Sequence, residues 1–219
     1  MLSLTEENYL KAIFALNSDQ DLKASTNAIA EKLETKPSSV SDMLKRLNEK
    51  KLIDYKKYKS TTLTPKGREI AVSIVRKHRL WEFFLVEKLK FGWDEVHDLA
   101  EQLEHIQSKE LTNRLDEFLA FPEFDPHGDP IPDKNGNFPT ELTTTLNQFN
   151  EGKTLTVIGV KDHSSEFLNY LQGLSIGLGT VLTINQINVF DKSLEITLNQ
   201  KDRKHISNEV SENLFVNEN

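Results

Sequence analysis

The 219-residue chain contains no cysteine. That absence excludes disulfides, zinc–thiolate sites and thiol nucleophiles together. No run of apolar residues approaches the ~18 that a membrane span needs. The start, MLSLTEENYLKAIF, enters an amphipathic pattern with no basic head and no small-residue cleavage site. The expectation is a cytoplasmic protein without a membrane partner. Hydrophobic residues make up 37% and charged residues 28%, enough to bury a core in one large domain or in two to three small ones.

Net positive charge is also lacking: the balance is −7, which taken alone argues against a nucleic-acid partner. The distribution argues the other way. Residues 36–68 carry ten Lys/Arg against Asp42, Glu49 and Asp54, a local net of +7. Residues 94–151 carry fourteen Asp/Glu against Lys109, Arg114 and Lys134, a local net of −11. One segment is built to meet anions and another to meet cations.

The pattern predicts a helix over 5–16 with Thr5 as N-cap, a short helix from Thr26, and a third helix opened by Pro37 with Val40, Leu44 and Leu47 inward. Two β-type runs, 52–55 and 60–64, follow, joined by the basic tip Lys56-Lys57-Tyr58-Lys59. This order is that of a winged helix-turn-helix. Thr64-Pro65 opens a long helix to about Leu89. Asp94 caps a helix to about Gln107, and Ser108 caps another containing Leu111, Leu115, Phe118 and Leu119. Residues 121–150 hold five of the seven prolines and read as a linker or an ordered irregular loop. Beyond them lie strand patterns at 154–160, 181–187 and 194–198, with a short helix at 166–171. The expected fold is mainly α with a small β domain: a winged helix over 1–70, a helical region over 71–140, and a small SH3-like β-barrel over 151–219.

On the third helix the apolar stripe leaves Ser38, Ser39, Ser41, Asp42, Lys45 and Arg46 on the other faces. Short hydroxyls at a helix start reach phosphates or base edges without blocking groove entry, and Lys45 and Arg46 supply charge or guanine readout. Lys36 at the helix entry and Lys56, Lys57 and Lys59 at the hairpin tip would follow the flanking backbone. A charge run is usually a solvated surface. Here it coincides with a helix-turn-helix pattern and a hairpin, which favours double-stranded DNA.

The segment DEVHDLAEQLEHIQ places His97, Glu101, Glu104 and His105 within one arc of a helix, with Val96, Leu99, Leu103 and Ile106 opposite. The long helix carries His78 and Glu82 at i, i+4. Nitrogen and oxygen donors without sulfur suit Mn²⁺, Fe²⁺ or Zn²⁺. The bland alternative is an acidic helix face with incidental histidines. Enzyme readings are weak: Glu101-Gln-Leu-Glu104-His105 lacks the first histidine of the H-x-x-E-H protease motif, and the helices do not repeat the Glu-x-x-His pattern of di-iron bundles.

Taken together, TEENYLKAIF, PSSVSDMLKRLNEKKLI, LTPKGREIA, RKHRLWEFFL, VHDLAEQLEHI and PHGDPIP resemble the diphtheria-toxin-repressor family of metal-dependent transcriptional regulators, and the resemblance spans nearly the whole chain. It implies a homodimer on a palindromic operator, a helical dimerisation and metal domain, and no enzymatic activity. It further implies that Asn8, Glu101, Glu104 and His105 form an activating primary metal site, and His78, Glu82 and His97 an ancillary one. Glu101 matches the manganese branch, where the iron branch has cysteine. Asn8 and Lys11 match neither branch of ligands: Asn8 stands where the branches have methionine or aspartate, and Lys11 where the manganese branch has a ligating glutamate. The implied co-repressor is Mn²⁺, with Fe²⁺ as the alternative. In iron-branch relatives the SH3-like domain gives two ligands spaced i, i+3, a spacing that His163 and Glu166 keep here. Metal would draw the first helix, through Asn8, onto Glu101, Glu104 and His105. The rival readings are a metal-buffering protein or metalloenzyme whose basic hairpin is incidental, and a regulator whose third domain senses an organic ligand.

Overall fold

A computed structural model describes residues 2–18, 23–56, 60–140 and 142–218. The chain divides into two compact units: residues 1–78, 101–113 and 132–137 form one, and residues 79–100, 114–131 and 138–219 the other. No described helix is long and apolar enough to cross a membrane.

The first unit opens with α1 (Leu4–Ser18), α2 (Thr26–Lys32) and α3 (Pro37–Glu49). The cap of α1 is not Thr5 but Ser3. Ser3 Oγ accepts from Glu6 N, and Glu6 Oε2 accepts from Ser3 N. This reciprocal capping box satisfies two N–H groups at once. Pro37 takes the first turn of α3, where a missing N–H costs nothing. Strands β1 (Ile53–Asp54) and β2 (Thr62–Leu63) pair antiparallel, with Ile53 opposite Leu63. Leu10, Ile13, Ile29, Val40, Leu44 and Leu47 close a core with no more than traces of exposed surface. Each such side chain contributes roughly 1.5–3 kcal/mol by leaving water.

Helix α4 (Pro65–Glu87) starts at Thr64, whose Oγ1 accepts from Gly67 N. Gly67 is required by proximity: a Cβ there would meet Leu52 O at 1.9 Å. Helices α5 (Val96–Leu103) and α6 (Lys109–Phe118) follow. The α5 helix is shorter than its periodicity predicts at both ends. Residues 93–95 form turns and the helix begins only at Val96, while the Asp94 Oδ1 is buried without a hydrogen bond. Glu104 and His105 lie in a turn closed by Ile106 N donating to Leu103 O. Where the helix gives way, the Glu104 side chain is fully buried beside basic partners described below. Ile106, Leu111 and Phe118, expected on apolar faces, are exposed.

The second unit carries η1 (Leu146–Gln148), β3 (Thr154–Val160), α7 (Ser165–Gly173), β4 (Val181–Ile187), β5 (Leu194–Leu198), β6 (Asp202–Ile206), α8 (Asn208–Glu212) and β7 (Leu214–Glu218). The strands form one antiparallel sheet in the order β6-β5-β4-β3-β7. Bulges at Val157/Gly159 and Ile184/Gln186 add local bend and twist. Trp93 packs with Leu155, Leu171, Leu182, Ile196 and Val216 in the core. A smaller cluster joins Leu80, Leu115, Leu119 and Ile131. Within the proline-rich stretch, Asp125, His127 and Ile131 are buried rather than left in solvent. Val160 N donates to His127 O at 2.7 Å, tying that loop to β3.

Candidate functional site

The basic face is carried by α3. Lys36, Ser38, Ser39, Asp42, Lys45 and Arg46 are exposed, while Val40, Leu44 and Leu47 anchor the opposite side. Ser41 is half-buried and turns its Oγ back to Pro37 O. Lys45 pairs with Asp42 at 3.0 Å on the surface. No side chain caps the helix start at Lys36, so its first N–H groups remain available to a phosphate. Lys56 is exposed; Lys57 and Lys59 lie outside the described residues. Thr5, Asn8, Ser39, Asp42 and Arg46 line a cavity of about 460 Å³ between α1 and α3.

The end of α5 and the turn after it meet α1 through charges of both signs. Lys11 Nζ donates to Glu104 Oε2 at 2.8 Å and to Glu101 Oε1 at 3.2 Å. Glu7, also on α1, accepts from His105 Nδ1 at 2.7 Å and from Gln107 Nε2 at 2.6 Å. His78 Nδ1 reaches the same Glu104 oxygen at 2.6 Å. Burial by itself would raise the pKa of Glu104; the His78 and Lys11 contacts outweigh it and hold the carboxylate below its ordinary range. Lys77 is buried close by, and burial lowers its pKa against the opposing fields of Glu7 and Glu104. Asn8 lines the α1/α3 cavity, and its Oδ1 is buried without a hydrogen bond.

A second constellation stands in the other unit. Glu82, Asp125 and His127, all buried, bring one donor atom each within 4.8 Å of one another. Asp125 Oδ1 accepts from His127 N and Asp129 N, which shapes the turn. Its Oδ2 is buried with no hydrogen bond and lies 3.7 Å from Arg79 Nε. Burial, then the charges of Glu82 and Asp129, push the Asp125 carboxyl up to about 8. Burial disfavours charge on His127 as well; Glu82 and Asp125 overcome it and raise the imidazole to about 9. His127 Nε2 lies 2.8 Å from Trp93 O. A carbonyl can only accept, so Nε2 carries the proton and Nδ1 is left facing Glu82 Oε2 at 3.6 Å. His97 Nδ1 bonds Glu82 Oε1 at 3.2 Å from a mostly exposed position.

These two places differ in their fitness for a divalent ion. At Glu82, Asp125 and His127, hard oxygen donors and an oriented imidazole nitrogen surround an orphaned carboxylate oxygen, and mutual repulsion raises Asp125. That is the chemistry Mn²⁺ or Fe²⁺ would relieve. At Glu101 and Glu104 the donors already share a lysine ammonium, so the residues as placed do not fit a metal ion.

Of the residues singled out in the sequence, His78 turns to Glu104 and sits one turn before Glu82 on α4. Glu82 and His97 come together; Glu101 and Glu104 come together around Lys11; His105 turns to Glu7. His163 donates through Nε2 to Val160 O and places Nδ1 3.8 Å from Asp129 Oδ2, its ring 5.4 Å from that of His127. Glu166 is exposed in the first turn of α7. Sequence reasoning missed Glu7, Asp125 and His127. The signal for the last two was Asp-x-His inside an otherwise turn-rich proline loop, where no helical spacing draws the eye.

Three family models match the chain in succession. They are the iron-dependent repressor N-terminal DNA-binding domain over residues 1–61, the iron-dependent repressor metal-binding and dimerisation domain over 64–133, and the FeoA domain over 144–218. The iron-dependent repressor IdeR of Mycobacterium leprae is 36% identical over 128 residues, 58% of this chain and 55% of that protein. That match thus spans about half the length of the curated relative. A solved manganese-dependent transcriptional repressor in complex with manganese is 34% identical with a TM-score of 0.76, covering 97% of this chain and 99% of the other. The manganese regulator SloR is 32% identical with a TM-score of 0.67, covering 98% of each. With three domain models in register and solved relatives matched end to end, the chain belongs to the iron-dependent repressor family, that of the diphtheria toxin repressor.

Proposed function

We propose that this protein is a cytoplasmic, metal-activated DNA-binding repressor of metal-ion homeostasis, without catalytic activity. It acts as a homodimer on a palindromic operator, with Mn²⁺ as co-repressor and Fe²⁺ as the alternative. Residues 1–70 read DNA, 71–140 dimerise and sense metal, and 151–219 form the SH3-like domain. The basic exposed face of α3, with Lys36, Ser38, Ser39, Lys45 and Arg46, supports major-groove docking. Leu111 and Phe118, seven residues apart on one face of α6, are 41% and 64% exposed, which supports a dimer surface.

The observation that carries the metal reading is the buried trio Glu82, Asp125 and His127. These residues would hold the ion, with His97 beside Glu82 and His163 beside Asp129 and His127 as further donors. A bound divalent cation would take the place of the protons that the raised Asp125 carboxyl and His127 imidazole hold. Trp93 O orients His127, and β3 fixes the loop through Val160 N. Metal binding shifts the population toward the dimer that fits two half-sites. The test is fluorescence anisotropy on DNA from upstream of the protein's own gene, with Mn²⁺ and with chelator. Binding only with metal is expected; equal binding in both contradicts the proposal.

A further inference from the structure

We propose that the Lys11 ammonium is itself the cation of the Glu101/Glu104 site: it fastens α1 to the end of α5 and the turn after it in the absence of metal, leaving metal control to Glu82, Asp125 and His127. The inference rests on the proposed function only in that last clause.

The geometry is that of a filled site. Lys11 Nζ lies 2.8 Å from Glu104 Oε2 and 3.2 Å from Glu101 Oε1, so one ammonium bridges both carboxylates. Glu104 is wholly buried, and a buried carboxylate without a cation is strongly destabilising. Its Oε2 receives both Lys11 and His78. Its Oε1 accepts no hydrogen bond and has the His105 imidazole at 3.9 Å. A divalent ion bound by Glu101 and Glu104 would have to share that space with an ammonium, and like charges at such distances repel strongly in a protein interior.

Of the remaining donors, His105 has another partner, while the Asn8 Oδ1 is buried without a hydrogen bond. His105 Nδ1 is committed to Glu7, and Glu7 is also held by Gln107. Asn8 contributes to the wall of the α1/α3 cavity. The attachment of α1 is also doubled with opposite polarity: a base on α1 meets acids at 101 and 104, while an acid on α1 meets a histidine at 105. Such an arrangement fixes the register of α1 against this stretch, because sliding by one residue breaks both sets. The DNA-reading helices are thereby joined to the acidic segment by the chain's own charges.

The test uses the full chain with three variants: Lys11→Met, Lys11→Arg and Glu104→Gln. In chelator, hydrogen exchange of α1 and of residues 101–107 is followed by mass spectrometry. Wild type and Lys11→Arg are expected to be protected alike, and Lys11→Met to exchange at least ~tenfold faster, the loss expected for a charge-assisted hydrogen bond. Equal protection in Lys11→Met overturns the proposal. Calorimetric titration with Mn²⁺ gives the second readout. Glu104→Gln is expected to bind as many ions as wild type, and Lys11→Met one more, because the freed carboxylates then accept an ion. Loss of an ion in Glu104→Gln, or no gain in Lys11→Met, overturns it. A wild type that binds no Mn²⁺ at all would defeat the proposed function, while the exchange result in chelator would still decide the role of Lys11.

Discussion

His127 presents Nδ1 to the Glu82 carboxylate at 3.6 Å while its Nε2 is held by the Trp93 carbonyl at 2.8 Å. The second contact gives the first its meaning. With one proton fixed on Nε2, only the proton on Nδ1 has to leave for the nitrogen facing Glu82 to offer its lone pair, as a metal ligand must. His127→Ala and Glu82→Gln are each expected to weaken Mn²⁺ binding by well over ~10-fold, since even outer partners of metal ligands are worth about 10–100-fold. Thermal unfolding of the metal-free variants should show the winged helix still folded. Calorimetry showing wild-type affinity in both would place the ion elsewhere.

A second expectation concerns Gly159. A Cβ at this position would lie 2.7 Å from Gly128 Cα and 3.0 Å from His127 O. Both contacts are backbone, so neither yields by rotating a side chain. Gly159→Ala should therefore displace the 125–129 loop, costing about 1–3 kcal/mol of stability and lowering Mn²⁺ affinity with no ligand removed. Denaturant titration and metal titration of the same variant measure both.

Much of this was legible in the sequence, and the failures have specific causes. Pro37, Thr64 and Ser108 mark helix starts by local chemistry alone, and the apolar runs of β3, β4 and β5 appear at their full length. The α5 boundary failed at Glu104, and helical periodicity cannot show that this residue is buried beside Lys11 and His78, residues far away in the chain. The strand β6, DRKHI, has a single buried residue and carries no alternating apolar signal. Asp125 and His127 meet Glu82 only because a proline-rich loop folds back against β3, which spacing along the chain does not encode.

The acid side of the Glu104 network gives a pH prediction. Its folded pKa lies below the ordinary value of 4.5. The stabilisation is then present above about that pH and is lost as pH falls through the lower folded value. In chelator, wild type should lose stability between pH 5 and 3 (roughly the carboxylate range) more steeply than Glu104→Gln. Parallel curves in urea denaturation would remove Glu104 as a contributor.

On the DNA side, Arg46 stands exposed on α3. If it meets a phosphate, Arg46→Ala should weaken binding to all sequences and make the salt dependence shallower by about one unit of slope. If it reads a base, discrimination at one operator position should relax instead. Anisotropy at several salt concentrations, with matched and mismatched DNA, separates the two; wild-type behaviour in both would take Arg46 out of the interface.

The proposed function couples one ion, held around Glu82, Asp125 and His127, to the operator through the same protein. Coupling of binding free energies is reciprocal, so the operator must tighten Mn²⁺ by the factor by which Mn²⁺ tightens the operator, typically about 5–150-fold. The direct measurement is the Mn²⁺ affinity of the full chain with and without saturating operator DNA at fixed ionic strength. Tighter Mn²⁺ binding is expected in the presence of DNA, with the gain abolished in Glu82→Gln; identical Mn²⁺ affinity with and without DNA would rule the coupling out.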